Sequence, residues 1–229
     1  MKTIGLIGGM SWESTAHYYA ILNRETAKAL GGLHSAPVIV HSVDFAPIEA
    51  MQRRDDWAGA GRELARIAAS LEAQGAGVVG LATNTMHICA PEIAAAISVP
   101  FLHIAAPTAD ALIVDGVGKV GLLGTRFTME KRFYIDELER RGLEVLVPDV
   151  GITNLNGIIY EELVLGIVRD ASRQVYVEAI ARLAARGCEA VILGCTEIGM
   201  LIDDSASPLP TYDTTDLHAK ALVGAALAA

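Results

Sequence analysis

The chain has 229 residues, 52% of them hydrophobic, 5% aromatic and 20% charged, with a formal net charge of −9. That length supports one large or two small domains with a substantial core, and the acidic balance excludes the basic footprint of a nucleic-acid surface. Apolar runs are short and broken by glycine or charge, well below the roughly 20 residues of a membrane span. No charged segment followed by a long apolar one opens the chain. The three cysteines, with no CxxC spacing and no nearby histidine pair, suggest neither a disulfide framework nor a zinc site. The expectation is a cytoplasmic protein that binds a small molecule and has no membrane or nucleic-acid partner.

Strand-like and helix-like runs alternate along the chain. Lys2–Ile7 reads as a strand ending in Gly8-Gly9, and Ser14–Leu30 as a helix with Tyr18, Ile21, Leu22 and Ala29 on one side. Val38–Val43 reads as a buried strand, and Trp57–Gln74 as a helix with its stripe at Leu64, Ile67, Ala68 and Leu71. Val78–Leu81 (strand), Pro91–Ile97 (short helix), Phe101–Ile104 (strand) and Pro107–Val114 (helix) follow. Lys119–Leu123 then reads as a strand and Met129–Arg141 as a helix stopped by Gly142. Glu144–Val147 is predicted as a strand, Ile158–Leu165 and Ser172–Arg186 as helices, Ala190–Leu193 as a strand and 203–210 as a loop. A short strand end at Thr211-Tyr212 precedes a last helix from Thr214 to Leu227.

The chain also repeats itself. Leu71-Glu72-Ala73-Gln74-Gly75 and the following Val78-Val79-Gly80-Leu81-Ala82-Thr83-Asn84-Thr85 match Leu183-Ala184-Ala185-Arg186-Gly187 and Ala190-Val191-Ile192-Leu193-Gly194-Cys195-Thr196-Glu197 in order and spacing. Ile4-Gly5-Leu6-Ile7-Gly8 likewise matches Val120-Gly121-Leu122-Leu123-Gly124. Strands alternating with helices predict an α/β fold with mainly parallel sheets. The repeat predicts two pseudo-symmetric lobes, 1–103 plus 209–229 and 104–208, with an active site in a cleft between them.

Equivalent loops follow the equivalent strands. One carries Thr83-Asn84-Thr85, short polar groups that suit a carboxylate or a helix cap. The other carries Cys195-Thr196-Glu197 at a strand's carboxyl end, where a helix N-terminus or amide nest would lower a thiol's pKa. Cys188 and Cys89 read as packing residues, and His87 as an acid, an orienting group or a cap. Gly8-Gly9-Met10-Ser11-Trp12 lacks GxGxxG and the P-loop lysine, so it reads as a tight turn rather than a nucleotide site. In the turn after the matching strand, Thr125 and Thr128 offer hydroxyls to an anion, or Thr128 caps a helix. Arg53-Arg54 beside Asp55-Asp56 reads as a solvated turn; Arg53, Arg54 and Arg126 are the candidate cations for an anionic substrate. Asp213-Thr214-Thr215-Asp216 reads as a cap, with Asp216 and His218 near enough to reach a cleft.

The opening Ile4–Met10 with Ser11-Trp12-Glu13-Ser14-Thr15, the stretch His41–Phe45, the loop Asn84-Thr85-Met86-His87 and the run Gly194-Cys195-Thr196-Glu197-Ile198-Gly199 together resemble the aspartate/glutamate racemase family over essentially the whole chain. The likeness is nearest to the type specific for L-aspartate and L-glutamate. The resemblance implies a cofactor-independent racemase, with one acid/base group on each side of Cα. It assigns Asn84, Thr85 and Thr196 to the substrate, with Met10, Gln52 and Thr125 nearby, and a homodimer as the family-level assembly; Thr128 and Glu197, in the same two turns, join the binding candidates. Thr83 stands where the usual pattern has its first cysteine, so Cys195 becomes the main acid/base and Thr83 its opposite number. Ile48, Val164 and Leu165 occupy the region where relatives carry cations for the acidic side chain. Two other readings share the framework: a one-cysteine decarboxylase of the arylmalonate type, and a non-catalytic binding protein.

Overall fold

The structure, a computed structural model, describes residues 1–228. It divides into two compact units: residues 1–104 with the chain from His218 onward, and Ala105–Leu217.

The first unit runs β1 (Thr3–Gly8), α1 (Trp12–Leu30), β2 (Val38–Ser42), α2 (Phe45–Arg53), α3 (Trp57–Ala73), β3 (Ala76–Leu81), a 3₁₀ turn (Thr85–Cys89), α4 (Ala90–Ala95) and β4 (Phe101–Leu102). Its four parallel strands lie in the order β2-β1-β3-β4. Period-two alternation divides the strand residues between two faces. Ile7, Val79 and Leu81 join Leu64, Ile67 and Leu71 of α3. Ile4, Leu6 and Val78 join Tyr18 and Leu22 of α1, with Leu222 and Val223 from the end of the chain.

The second unit runs α5 (Ala105–Val114), β5 (Lys119–Gly124), α6 (Arg126–Glu130), α7 (Arg132–Glu139), β6 (Glu144–Leu146), α8 (Ile152–Glu161), α9 (Asp170–Ala185), β7 (Ala190–Gly194), β8 (Thr211–Asp213) and α10 (Thr214–Leu227). The strand order is β6-β5-β7-β8, again all parallel. The repeat therefore extends to topology and register. Gly5 pairs with Val79 and Ile7 with Leu81 in one unit; Gly121 pairs with Val191 and Leu123 with Leu193 in the other. At both repeated glycines a Cβ would meet the helix behind the strand, Leu71 at 3.2 Å for Gly5 and Leu183 at 2.8 Å for Gly121, so the missing side chain sets how closely α3 and α9 pack.

Several elements differ from the sequence reading. β2 is half-exposed rather than buried, with Val40 40% accessible, because it is the edge of its sheet. The predicted helix Met129–Arg141 is two helices, since Lys131 is extended (φ −84°, ψ 143°) between α6 and α7. The predicted helix Ile158–Leu165 begins earlier, at Ile152; it stops at Glu161 and gives way to a 3₁₀ turn, Leu163–Leu165, closed by left-handed Gly166. Helix α2 went unpredicted: Asp44 caps it by accepting from the Ala46 N–H, and Pro47 falls in its first turn, where a missing N–H costs no helical bond. Residues 209–217 lie in the second unit rather than with the N-terminal lobe, because β8 pairs with β7. α10 starts there, capped by Asp213, and continues into the first unit.

His218 is the residue at which α10 enters the first unit, and it is fully buried. Its Nε2 is 3.0 Å from the Leu102 carbonyl and its Nδ1 2.9 Å from the Tyr18 hydroxyl. The carbonyl can only accept, so Nε2 carries the proton and Nδ1 accepts from Tyr18. Burial pushes its pKa down to about 4, the Leu102 bond opposing and the nearby His103 adding to the fall. The unfolded imidazole titrates near 6.5, so the unfolded chain takes the proton first as pH drops. Stability from this residue is full above about pH 6.5 and is lost down to about pH 4, by about 3 kcal/mol. Urea unfolding of wild type and His218→Gln across that range checks this: the variant should show the shallower loss, and equal slopes would mean that the ring is not held neutral.

Candidate active site

The site candidates sit where parallel strands end. In the first unit, β3 delivers Ala82-Thr83-Asn84 to its carboxyl edge, the Ala82 N–H still bonded to the Ile7 carbonyl at 2.8 Å. Thr83 is half-buried, while Asn84 and Thr85 are buried. The Asn84 carbonyl accepts from the His87 N–H, which opens the 3₁₀ turn. Gln52, buried on the last turn of α2, donates to the Met86 sulfur at 2.9 Å. Met10 packs in the same core cluster as Met86 and Ile48. Thr83, Asn84 and Thr85 thus share one loop, with Gln52 behind it on Met86, while Met10 is a core residue of this unit.

His87 is fixed from both sides. Its Nδ1 is 2.8 Å from the Thr83 carbonyl and its Nε2 3.1 Å from the Ile104 N–H. A backbone N–H can only donate and a carbonyl only accept, so the ring is neutral with its proton on Nδ1. Burial pushes its pKa well below the ordinary histidine range, with His103 and His218 adding to the fall. Of the roles open in the sequence, orientation is the one that this geometry serves; a neutral buried ring that donates to a carbonyl is not poised as an acid.

In the second unit, β7 delivers Gly194-Cys195-Thr196-Glu197. Cys195 is 8% and Glu197 5% exposed, so both polar groups are largely out of water. The Cys195 thiol donates to Glu197 Oε2 at 3.1 Å, and the Thr196 hydroxyl donates to the same oxygen at 2.5 Å. The thiol pKa is therefore pushed well up, first by burial and then by the Glu197 carboxylate, with a smaller contribution from Asp213; the Glu197 backbone bond opposes it. This corrects the expectation of a lowered pKa: no helix N-terminus dominates here, and the groups around the sulfur are carboxylates. Asp213 was a cap candidate only, and four-residue spacing gives the signal that was missed. Gly199 follows Cys195 at the distance at which His87 follows Thr83, and without a side chain it leaves Asp213 Oδ2 within 2.7 Å of where a Cβ would lie.

Thr125, not Thr128, caps α6, accepting from the Thr128 N–H at 3.3 Å; the two hydroxyls lie 3.2 Å apart. Thr128 is fully buried, and its methyl lies against Gly194. Its hydroxyl thus faces the Thr125 hydroxyl in the turn after β5. The candidate cations are on the surface: Arg53 pairs with Glu49, and Arg126 with Glu130 at 3.2 Å. Cys89 lies in the core with its thiol pKa raised to about 12 by burial and Glu92, and Cys188 is buried with its pKa raised by burial, so both are packing residues. Among the described residues no group of three or more His, Cys, Asp and Glu side chains is placed to hold a metal ion, and no helix is long and apolar enough to cross a membrane.

Residues 7–222 match the model of the Asp/Glu/Hydantoin racemase family. The chain belongs to this family. A candidate Asp/Glu racemase from Yersinia pestis is similar over 100% of both chains, at 48% identity and a TM-score of 0.94. An aspartate racemase homologue from Pyrococcus horikoshii OT3 is similar over 99% of both chains, at 35% identity and a TM-score of 0.84. The broad specificity amino-acid racemase RacX of Bacillus subtilis (strain 168) is 27% identical over 165 residues, 70% of each chain. Unliganded arylmalonate decarboxylase, at 16% identity and a TM-score of 0.54, shares the fold and nothing closer. Family membership makes racemisation the activity class against which the thiol is read.

The Cys195 environment yields a direct check. Alkylation of Cys195, followed by mass spectrometry of its peptide, should stay slow through about pH 8.5, the ordinary thiol midpoint. In Glu197→Gln, which removes the adjacent negative charge, the rate profile should move to lower pH. A shift in the opposite direction would show that Glu197 does not hold the thiol protonated.

Proposed function

We propose that this chain is a cofactor-independent racemase of aspartate and/or glutamate, with Cys195 as main acid/base and Thr83 acting on the opposite face of Cα. The observation that carries this reading is the buried thiol at the end of β7 donating to the Glu197 carboxylate. A thiol held protonated is ready to deliver a proton to a carbanion. For the reverse task the carboxylate receives the sulfur's proton as the thiolate takes the Cα hydrogen. The pair thereby gains the Cα proton and becomes one unit less negative, and it returns that proton to solvent once Thr83 has protonated the opposite face.

The electron pair released at Cα spreads into the substrate carboxylate, where preorganised amides and hydroxyls lower the barrier most. Asn84, Thr85 and Thr196 are the groups assigned to that carboxylate. Thr83 O–H then gives its proton to the opposite face, and solvent reprotonates the oxygen. A threonine hydroxyl is too weakly acidic to rest as an alkoxide at neutral pH, so the two directions differ in their rate-limiting steps. The equilibrium constant between enantiomers is untouched. The acidic substrate class rests on the likeness to the Yersinia and Pyrococcus proteins.

Incubation with L- and D-aspartate and glutamate in deuterated water, with chiral analysis, tests the reading. Wild type should incorporate deuterium at Cα with inversion, and Cys195→Ser should lose about 10²–10⁴-fold, the scale of a positioned acid/base. Binding without exchange would leave a non-catalytic protein, and carbon dioxide release from a malonate would instead favour the decarboxylase. Thr83→Cys should fold and bring the two directions closer in rate; complete loss of activity in that folded variant would show a more specific role for the hydroxyl.

A further inference from the structure

The buried histidines of the first unit have no part in the chemistry above, yet they converge on two places that matter to it. His87 bonds the carbonyl of Thr83 and the N–H of Ile104. Ile104 is the last residue of the first unit before the chain leaves for the second. His218, where the chain returns, bonds the Leu102 carbonyl two residues before Ile104. The rings form one cluster: His87 lies 4.6 Å from His103 and 6.0 Å from His218, centroid to centroid, both edge-on, with Phe101 at 5.6 Å. The titratable groups facing His87 are His103 on the segment after β4 and His218 on α10.

The other half of the repeat lacks this device. At the position matching His87 stands Gly199, and at the position matching His103, one residue past the Gly80–Leu102 and Ile192–Tyr212 pairings, stands Asp213. The fold itself therefore does not require a histidine there. The half that has it is the half whose loop carries a hydroxyl in place of a thiol.

We infer that His87 is a positioning residue for Thr83: a neutral imidazole strap that holds the Thr83 carbonyl against the segment where the chain leaves the first unit. The inference rests on the reading of Thr83 as the acid/base group opposite Cys195. A hydroxyl, being a poor proton donor, depends on placement more than a thiol does; a misplacement of about 1 Å can cost on the order of 10²-fold in rate. The strap works only as the Nδ1–H tautomer, because the proton on Nε2 would oppose the Ile104 N–H. Charging the ring would do the same.

The experiment has two arms. In wild type, ¹⁵N–¹H correlation of the histidine rings should show His87 as the Nδ1–H tautomer, unchanged between about pH 5 and 8, the range in which an ordinary histidine titrates. An Nε2–H tautomer, or titration in that range, overturns the strap. In the second arm, His87→Gln and His87→Ala are followed in deuterated water with the enantiomer whose Cα–H faces Cys195. Inversion should fall about 10²-fold, while deuterium wash-in with retention, which needs only the Cys195 side, persists; glutamine, which can still accept from Ile104, should lose less than alanine. A proportional loss of both signals overturns the positioning role while leaving the racemase reading intact. No exchange in wild type overturns the racemase reading, and this role with it.

Discussion

Parallel pairing in a fixed register is the constraint on which each unit's candidate loop depends. In a parallel sheet every strand ends at the same edge, so loops that follow paired strands are delivered together. β1 with β3 and β5 with β7 pair in matching register, and the loops after β3 and β7 carry Thr83 and Cys195. Small residues make the register workable: Gly80 leaves 2.6 Å between a would-be Cβ and Leu222, and Gly121 leaves 2.8 Å to Leu183. The side chains absent from the strands let the helices close over them, and the loops inherit their positions from that packing.

On this common frame the halves have diverged in electrostatic character. The Thr83 loop is backed by neutral imidazoles that bond backbone groups. The Cys195 loop is backed by carboxylates, Glu197 on the sulfur and Asp213 beyond it. Negative charge beside a thiol keeps it protonated and offers its proton somewhere to go. Neutral donors and acceptors beside a threonine fix geometry without altering charge. The duplicated scaffold thus carries a carboxylate-backed thiol in one half and an imidazole-backed threonine loop in the other.

The strand and helix order, the repeat and the strand-end positions of Thr83 and Cys195 were legible because glycine-punctuated runs of Val, Ile and Leu announce buried parallel strands whatever surrounds them. The break at Lys131 and the helix α2 were not, since one turns on a single extended residue and the other begins with Asp44 and a proline that suggest a loop. The direction of the Cys195 pKa shift was misread for a related reason. It depends on burial and on how Glu197 and Asp213 fold back toward the sulfur, which adjacency in sequence does not specify. Which threonine caps α6 was not legible either, because two threonines three residues apart are interchangeable as caps on paper; the backbone selects Thr125 rather than Thr128.

The C-terminal helix has a consequence for biogenesis. Ala219, Leu222, Val223 and Ala226 complete the face of the first sheet formed by Ile4, Leu6 and Val78, and the Lys2 N–H bonds the Ala226 carbonyl. During vectorial synthesis that face is covered only in part, by Tyr18, Ile21 and Leu22 of α1, while the chain between β4 and α10 is made. The half that leaves the ribosome first is therefore the half that finishes last. Loss of α10 beyond Leu217 would strip apolar cover from Ile4, Leu6 and Val78, on strands made some 140 residues earlier or more.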